Sequence, residues 1–218
     1  MSHNVAIDGP AGAGKSTIAK QIARKLGYIY VDTGAMYRAM AYYLIQNQVD
    51  AADKEAIAAA CQHADISICY QDGEQVVLLN GENVNAYLRT EAVGNMASVS
   101  SVVPEVRKKL VELQQKLARE TDVVMDGRDI GTVVLPDADV KVYLTASVET
   151  RAKRRFLELQ EKGESADLAK IAADIEDRDY RDMHRDISPL RQAEDATLVD
   201  SSDMTIDQVV ERILELCR

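Results

Sequence analysis

Short apolar runs rich in β-branched residues alternate along the chain with longer segments of helical periodicity. The runs predict five strands, at residues 5–7, 28–31, 122–125, 140–144 and 197–199. The periodic segments predict seven helices, at residues 16–26, 35–46, 53–63, 104–119, 148–161, 166–183 and 205–216. Strands that alternate with helices are typical of an α/β fold. We therefore expect a five-stranded parallel sheet flanked by helices, with ligands at the carboxyl ends of its strands.

One segment between the second and third predicted strands breaks this alternation. Short apolar runs at residues 65–70, 75–79 and 83–84 are separated by Asp72-Gly73 and Asn80-Gly81. Asp-Gly and Asn-Gly pairs favour the tight turns of hairpins. The pattern predicts a small antiparallel three-stranded insertion that continues through residues 86–102. From the residues alone, a hairpin without function is as plausible as a binding element.

A glycine-rich loop follows the first predicted strand directly, with the sequence Gly9-Pro10-Ala11-Gly12-Ala13-Gly14-Lys15-Ser16. It fits G-x-x-x-x-G-K-S, in which backbone N–H groups surround phosphates, the lysine reaches the β and γ oxygens and the hydroxyl binds Mg²⁺. The N-terminus of the next helix favours the same anion. Such a pattern also occurs by chance, but the preceding strand and the amphipathic helix favour a triphosphate site.

Composition limits the classes of protein that the chain can represent. Its 218 residues are 46% hydrophobic, enough for a substantial core in one large domain or slightly more. No apolar run approaches a membrane span, and the first four residues have no signal pattern, so we expect a cytoplasmic protein that binds no membrane. The three cysteines lack metal-ligand spacing, which favours reduced thiols and no zinc site.

The balance of charge restricts the partners. A formal net charge of −10 argues against a nucleic-acid surface and against anionic membranes. An anionic ligand therefore needs a local basic pocket. Such a pocket is feasible because charges more than about 8 Å apart are largely screened at physiological salt.

Two further charged segments follow predicted strands. Residues 32–38, Asp-Thr-Gly-Ala-Met-Tyr-Arg, follow the second strand, where Thr33 could bond a ligand and Arg38 could bind phosphate with two parallel hydrogen bonds. A helix cap and a solvated arginine are an equal alternative. Asp126-Gly127-Arg128-Asp129 ends the third strand, where an acidic residue often serves Mg²⁺. Its alternative is a turn at Gly127 with locally paired charges.

The arginines near the C-terminus suggest a lid. Arg178, Asp182 and Arg185 have the spacing of one helix face, and a basic cluster lies upstream at residues 151–155. Two such arms, joined near Gly163, could bring arginines onto a transferring phosphoryl group and exclude water. The competing interpretation is a solvated lattice of salt bridges. The sequence has no guanine-reading Asn-Lys-x-Asp and no recognisable nucleophile triad, which disfavours GTPase switching and covalent catalysis.

Together these segments resemble the bacterial-type cytidylate kinases, a family of P-loop nucleoside monophosphate kinases. The residues that carry the resemblance are 9–16, 32–38, 126–134 and the Arg178-Asp179-x-Arg181-Asp182 repeat, with the insertion at 65–84. The resemblance spans nearly the whole chain. It implies a single kinase domain over 1–218, with an acceptor-binding insertion at 65–102 and a short helical lid near 155–180.

The same resemblance implies an activity and the residues that support it. The activity is transfer of the γ-phosphoryl group of ATP to CMP or dCMP, with Mg²⁺, and we further expect a monomer. ATP would be held by Gly9, Pro10, Ala11, Gly12, Ala13, Gly14, Lys15, Ser16 and Thr17. The acceptor would be held by Thr33, Arg38, Ser98, Arg107, Arg128, Asp129 and Asp182, where Ser100 and Ser101 are alternatives to Ser98 and Thr33 stands where serine is frequent. Lys15, Arg128, Arg178 and Arg185 would be catalytic, and Ser16 and Asp126 would hold Mg²⁺, directly or through water.

Two other functions stay open on the sequence. The first is phosphoryl transfer to another small acceptor, such as AMP, UMP or a non-nucleotide alcohol. The second is an ATP-binding regulatory module whose hydrolysis switches a partner bound at residues 65–84. A comparison of acceptors separates all three.

Overall fold

The computed structural model describes residues 2–71 and 73–218, which fall into two compact units. The core unit comprises the chain up to Tyr30 together with Thr121–Arg218, and the inserted unit comprises Val31–Glu120. The inserted unit is thus one continuous stretch of chain, whereas the core unit is assembled from both ends. The organisation expected from the resemblance, one domain over 1–218 with an insertion at 65–102 and a lid near 155–180, stays a prediction.

Strands and helices alternate in the predicted order. The strands are β1 Asn4–Asp8, β2 Ile29–Asp32, β3 Ile66–Gln71, β4 Glu74–Leu79, β5 Glu82–Asn83, β6 Val123–Gly127, β7 Val140–Thr145 and β8 Thr197–Asp200. The α-helices are α1 Lys15–Leu26, α2 Thr33–Gln46, α3 Lys54–Cys61, α4 Glu91–Ser100, α5 Pro104–Glu120, α6 Val148–Glu161, α7 Leu168–His184 and α8 Ile206–Leu216. Every predicted strand and helix is confirmed, with ends shifted by at most two residues.

A five-stranded parallel sheet carries the predicted ligand edge. Its order is β2-β6-β1-β7-β8, so the first strand of the chain lies in the middle. In the parallel register, Ile7 of β1 lies opposite Asp126 of β6, and Asp8 lies opposite Gly127. The carboxyl ends of β1 and β6 therefore meet at one edge, and the glycine-rich loop and the Asp126–Asp129 segment leave the sheet side by side.

The apolar core of the core unit lies between this sheet and helices α1 and α8. Ile18 and Ile22 of α1 are four residues apart, and this spacing places both on the face turned to the sheet. Val210 and Ile213 of α8 are buried in the same cluster, together with Val5, Ile7, Val124, Val142 and Leu144 of the strands. Burial of branched apolar side chains from both layers fixes α1, and hence the loop before it, against the sheet.

A three-stranded antiparallel sheet, in the order β3-β4-β5, forms part of the inserted unit. The second predicted turn is confirmed, since Asn80 and Gly81 both have positive φ, 51° and 85°. In the first turn Gly73 has φ 78°, while Asp72 lies outside the described residues. Helix α2 packs against β4 and α4 of the same unit.

Helix α4 was not expected, because residues 86–102 were predicted to continue the antiparallel insertion. Thr90 caps this helix by accepting a hydrogen bond from Val93 N, and Val93, Met96 and Ser100 are its buried residues. Their spacing of three and four is helical. Gly94, Asn95 and three serines between residues 98 and 101 weaken the helical signal, and packing against α2 overrides those poor propensities.

Helix α7 ends just before Arg185, which its spacing from Arg178 and Asp182 had placed on the same helix face. Its last residue is His184, and Arg185 has extended backbone with φ −68° and ψ 142°. The chain turns back here, because Leu190 N donates to the carbonyl oxygen of Asp182 and Arg185 Nε donates to that of Ser188. The prediction that Arg185 shares a helix face with Arg178 and Asp182 was therefore wrong.

Candidate active site

The glycine-rich loop connects the end of β1 to the start of α1 and has the backbone conformation that its glycines allow. Gly14, immediately before Lys15, has φ 86° and leads into the helix without a side-chain cap. Gly9 has φ 150°, and a Cβ there would lie 1.9 Å from the carbonyl oxygen of Leu144 in β7. Only glycine fits so close to a neighbouring strand. The first N–H groups of α1 are thus left for an anion rather than for a cap.

Lys15 is buried under this loop. Its Nζ donates a hydrogen bond to the carbonyl oxygen of Pro10 at 2.7 Å. Burial, reinforced by the charge of Arg128, lowers the pKa of Lys15 to about 7, and the carboxylates of Asp126 and Asp8 oppose that shift. Because an anion beside the ammonium favours its charged form, a bound phosphate would raise this pKa again. The ammonium is therefore placed where it gains most from a phosphate ligand.

Ser16 and Asp126 form a pair of oxygen donors beside Lys15. Ser16 Oγ donates to Asp126 Oδ2 at 2.9 Å, and Tyr30 Oη donates to Asp126 Oδ1 at 2.8 Å. A hydroxyl and a carboxylate are ligands that Mg²⁺ prefers, and this ion commonly completes its shell with water and phosphate oxygens. Within residues 2–71 and 73–218 no cluster of three or more acidic, histidine or cysteine side chains could hold a metal by itself. The pair therefore fits a Mg²⁺ shared with a nucleotide.

Asp8, at the end of β1, holds the start of the segment that carries Arg128. Its two carboxylate oxygens accept hydrogen bonds from Ile130 N at 2.8 Å and Gly131 N at 2.7 Å. These N–H groups begin the π-helix Ile130–Val134, so the carboxylate satisfies donors that the helix itself leaves open. Despite these hydrogen bonds, burial raises the pKa of Asp8 to about 6.

Asp8 gives the protein a pH dependence that can be measured. A raised carboxyl pKa means that the native protein binds a proton which the unfolded chain releases, so this group's contribution to stability falls as pH rises from about 4 to about 6. Asp8→Asn removes that dependence. Relative to the wild type, its free energy of unfolding should increase by about 2 kcal/mol between pH 4 and pH 7. Urea denaturation at four pH values measures this, with the exposed Asp137→Asn as a control; parallel profiles for wild type and Asp8→Asn would contradict it.

The arginines after β6 and at the end of α7 are paired with carboxylates, of which Asp129 is buried and Asp182 is partly buried. Arg128 Nε donates to Asp182 Oδ2 at 2.8 Å, and Arg185 lies 3.7 Å from Asp129 Oδ1. Burial opposes ionisation of Asp182, but the charges of Arg128, Arg178 and Arg185 outweigh it and lower the pKa of this carboxyl. These pairs are not a solvated lattice. Arg178, by contrast, is exposed on α7.

Only Arg151, of the basic residues at 151–155, contacts the phosphate loop. Its Nη1 donates to the carbonyl oxygen of Ala11 at 2.8 Å. Arg154 instead donates to Ser201, and Arg155 pairs with Glu158 on the surface of α6. Of the predicted basic arm, Arg151 therefore contacts the loop, whereas Arg154 and Arg155 make contacts away from it.

In the inserted unit, the segment after β2 builds a second charged group. Asp32 caps α2 by accepting from Ala35 N at 2.9 Å, and its Oδ2 lies 3.1 Å from Arg38 Nη2. Gln75 of β4 binds the backbone of Asp32 through both ends of its amide. The cap predicted for this segment is confirmed, but Arg38 is paired rather than solvated. Thr33, next to the cap, is buried.

Arg107 and the serines of α4 lie in the same unit. Arg107 is buried on α5, 5.5 Å above the ring of Tyr37, and donates to the carbonyl oxygen of Ser101. Ser98 is partly exposed, whereas Ser100 is fully buried. Of these two serines, Ser98 is therefore the one that a ligand can reach.

Comparison with known proteins identifies the family to which the chain belongs. The family model described as cytidylate kinase matches residues 5–218. The chain belongs to the cytidylate kinase family. It is therefore an enzyme of the kinase class, as the sequence motifs predicted.

Relatives in this family match almost the whole length of the chain. A cytidylate kinase of Lactobacillus johnsonii is 54% identical over 212 residues, which are 97% of this chain and 92% of that protein. One of Caldicellulosiruptor saccharolyticus is 52% identical over 98% of this chain and 94% of its own length. A solved structure of an uncharacterised protein from Eubacterium ventriosum shares the fold, with a TM-score of 0.55 at 12% identity over 99% of this chain and 97% of that one. In the described part of the chain, no helix is long and apolar enough to span a bilayer.

Three residues of this kinase site were not found as such from the sequence. Asp8 was not singled out, Tyr30 was read only as part of a strand, and Arg151 was read as one of several basic residues on a helix. A signal for Asp8 was present, since a carboxylate at the end of an apolar strand directly before the glycine-rich loop needs a partner. The partners of Tyr30 and Arg151 lie far away in the chain and leave no local pattern.

Proposed function

We propose that the protein transfers the γ-phosphoryl group of ATP to CMP and dCMP, and so produces ADP with CDP or dCDP. The observation that carries the proposal is the match of nearly the whole chain to cytidylate kinases. The glycine-rich loop at the carboxyl end of β1 supports the donor half of the reaction, because its conformation leaves helix N–H groups and a buried ammonium for phosphates. The acceptor half rests on family membership.

The donor phosphates are assigned to residues 9–17. Backbone N–H groups of the loop and of the first turn of α1 would bind the phosphate oxygens, and Lys15 would neutralise the charge that develops on the transferring group. No general base is required, because the attacking phosphate oxygen of CMP is already anionic. Catalysis then consists of positioning and charge stabilisation.

The acceptor is assigned to two groups of residues, one in each unit, and each group is described within its own unit. Thr33, Arg38, Ser98 and Arg107 are the groups of the inserted unit, and Arg128, Asp129 and Asp182 are those of the core unit. Guanidinium groups bind phosphate with two parallel hydrogen bonds, and carboxylates can accept from an amino group such as that of cytosine. Arg128, with Arg178 and Arg185, is assigned to the transferring phosphoryl group, where one arginine can contribute ~10³- to 10⁵-fold in rate.

Ser16 and Asp126 are the residues that would hold Mg²⁺, Asp126 directly or through water. Bound there, the ion would neutralise part of the charge of the phosphates. The hydrogen bond from Tyr30 would keep the Asp126 carboxylate oriented toward Ser16. We further propose that the protein acts as a monomer.

One assay tests the proposed activity. The purified protein is given ATP and Mg²⁺ with CMP, dCMP, AMP, UMP or shikimate, and both ADP and the phosphorylated product are measured. We expect the highest kcat/KM for CMP and dCMP and loss of activity when Mg²⁺ is chelated. A preference for AMP or shikimate would contradict the acceptor, and ATP hydrolysis without a phosphorylated product would favour the regulatory module instead.

A further inference from the structure

Arg151 of α6 is a buried side chain that connects the glycine-rich loop to α7. Its guanidinium makes three contacts, from Nε to the carbonyl oxygen of Ala146 at 2.9 Å, from Nη1 to that of Ala11 at 2.8 Å and from Nη2 to Asp179 Oδ2 at 2.7 Å. The exposed fractions of the Arg151 and Asp179 side chains are 5% and 11%. All three nitrogens of this guanidinium already have partners within the protein. We therefore do not expect Arg151 to bind phosphate directly, unlike the arginines proposed above.

The contact with Ala11 fixes the direction of a loop peptide. A trans peptide unit is planar, with its C=O and the following N–H pointing in opposite directions. Holding the Ala11 carbonyl oxygen therefore fixes the direction of the N–H of Gly12 as well. Gly12 has φ 75°, and a Cβ there would lie 3.4 Å from Arg151 Cβ, so the arginine stem packs directly under this peptide. A fixed N–H is what a phosphate-binding loop requires before the ligand arrives.

The contact with Asp179 brings helix α7 into the same arrangement. Asp179 and Asp182 are three residues apart on α7, and they hold Arg151 and Arg128 respectively. Asp179 is buried, and its Oδ1 makes no hydrogen bond to any described residue. A buried carboxylate with only one strong partner depends on that partner, because its charge is otherwise uncompensated. The ion pair between Arg151 and Asp179 therefore both holds Arg151 under the loop and attaches α7 to it.

We propose that Arg151 and Asp179 are positioning residues that make the binding of ATP phosphates depend on the docking of α7. When α7 is docked, Asp179 holds Arg151, Arg151 holds the Ala11–Gly12 peptide, and the loop is preorganised. When α7 is displaced, Arg151 loses its charged partner and the loop peptide is free to rotate. By linkage, ATP that binds the ordered loop must in turn stabilise the docked α7. The proposal rests on the proposed function for its ATP site but not for its acceptor.

The test uses Asp179→Asn, which keeps the shape of the side chain and removes its charge. The KM for ATP should rise about tenfold. The KM for CMP at saturating ATP should rise less than that, because the second ion pair of α7, between Asp182 and Arg128, stays intact. Asp177→Asn, the same change at an exposed position of α7, should leave both values within twofold. Arg151→Lys should resemble Asp179→Asn, and the double variant should be no worse than either single variant, because both break the same connection.

A second measurement separates positioning from a merely structural role and needs no CMP. Amide hydrogen exchange is followed in peptides covering residues 9–16 and 167–184, with and without a non-hydrolysable ATP analogue. In the wild type the analogue should slow exchange in α7, and in Asp179→Asn this protection should disappear while the free loop exchanges several times faster. A lower melting temperature with unchanged loop exchange and unchanged KM for ATP would overturn the proposal, as would additive effects in the double variant. Failure of CMP phosphorylation by the wild type would refute the proposed function and leave this exchange result interpretable.

Discussion

Replacement of Lys15 by alanine is expected to lower the turnover number for CMP phosphorylation by about 10³-fold. The ammonium is buried below the loop that is proposed to bind the donor phosphates, where it donates to the carbonyl oxygen of Pro10. The variant should remain folded, since burial already disfavours the charged lysine and lowers its pKa to about 7. Steady-state kinetics at saturating ATP and CMP, with a melting curve for each protein, checks both statements.

Lys25→Ala is the matched control for this experiment. Lys25 lies on the same helix, is half exposed and pairs with Glu211 on the surface at 3.0 Å. Exposed pairs of this kind contribute about 0–1 kcal/mol, so its turnover should stay within twofold of the wild type. If Lys15→Ala retained more than a tenth of the wild-type turnover, the assignment of the transferring group to this lysine would fail.

Replacement of Arg128 by alanine is expected to lower turnover at saturating CMP by about 10³-fold. The arginine follows β6 at the edge shared with the phosphate loop, and Asp182 orients its guanidinium through Nε at 2.8 Å. Arg128→Lys should recover only a small part of the lost rate, because an ammonium cannot reproduce the planar fork. Single-turnover measurements would show whether the loss lies in the transfer step.

Arg155→Ala serves as the control for Arg128, because Arg155 is exposed on α6 and pairs only with the nearby Glu158. Its turnover should not change measurably. An unchanged turnover for Arg128→Ala with saturating CMP would remove Arg128 from the catalytic group. A raised KM for CMP with normal turnover would instead limit it to binding the acceptor.

Sequence patterns predicted the sheet and the loop because both depend on local chemistry. A strand of β-branched residues, a run with glycine at fixed positions and an amphipathic helix follow one another within residues 4–26. Ser16 and Asp126 were both expected at a Mg²⁺ site, because both lie at the carboxyl edge of the predicted sheet. The pairing of β1 with β6, which was not predicted, brings their side chains within hydrogen-bond distance.

The remaining contacts depend on positions that no local pattern encodes. Arg151 reaches Ala11 across 140 residues of chain, and Asp8 reaches Ile130 across 122. The end of α7 at His184 follows from hydrogen bonds made by the returning chain, which spacing along the helix cannot show. Helix α4 was missed because its glycine, asparagine and serines have poor helical propensity, and packing on α2 decides its structure.

The central place of β1 in the sheet has a consequence for synthesis on the ribosome. Its two neighbours, β6 and β7, begin at Val123 and Val140, so β1 has no partner in the sheet until the residues from Val123 onward have been made. The inserted unit, Val31–Glu120, is continuous and complete before then. Since domains tend to fold as units in the order of their synthesis, the inserted unit can fold first. The glycine-rich loop would then acquire its shape late, when β6 and β7 emerge and complete the sheet around a strand that was made long before them.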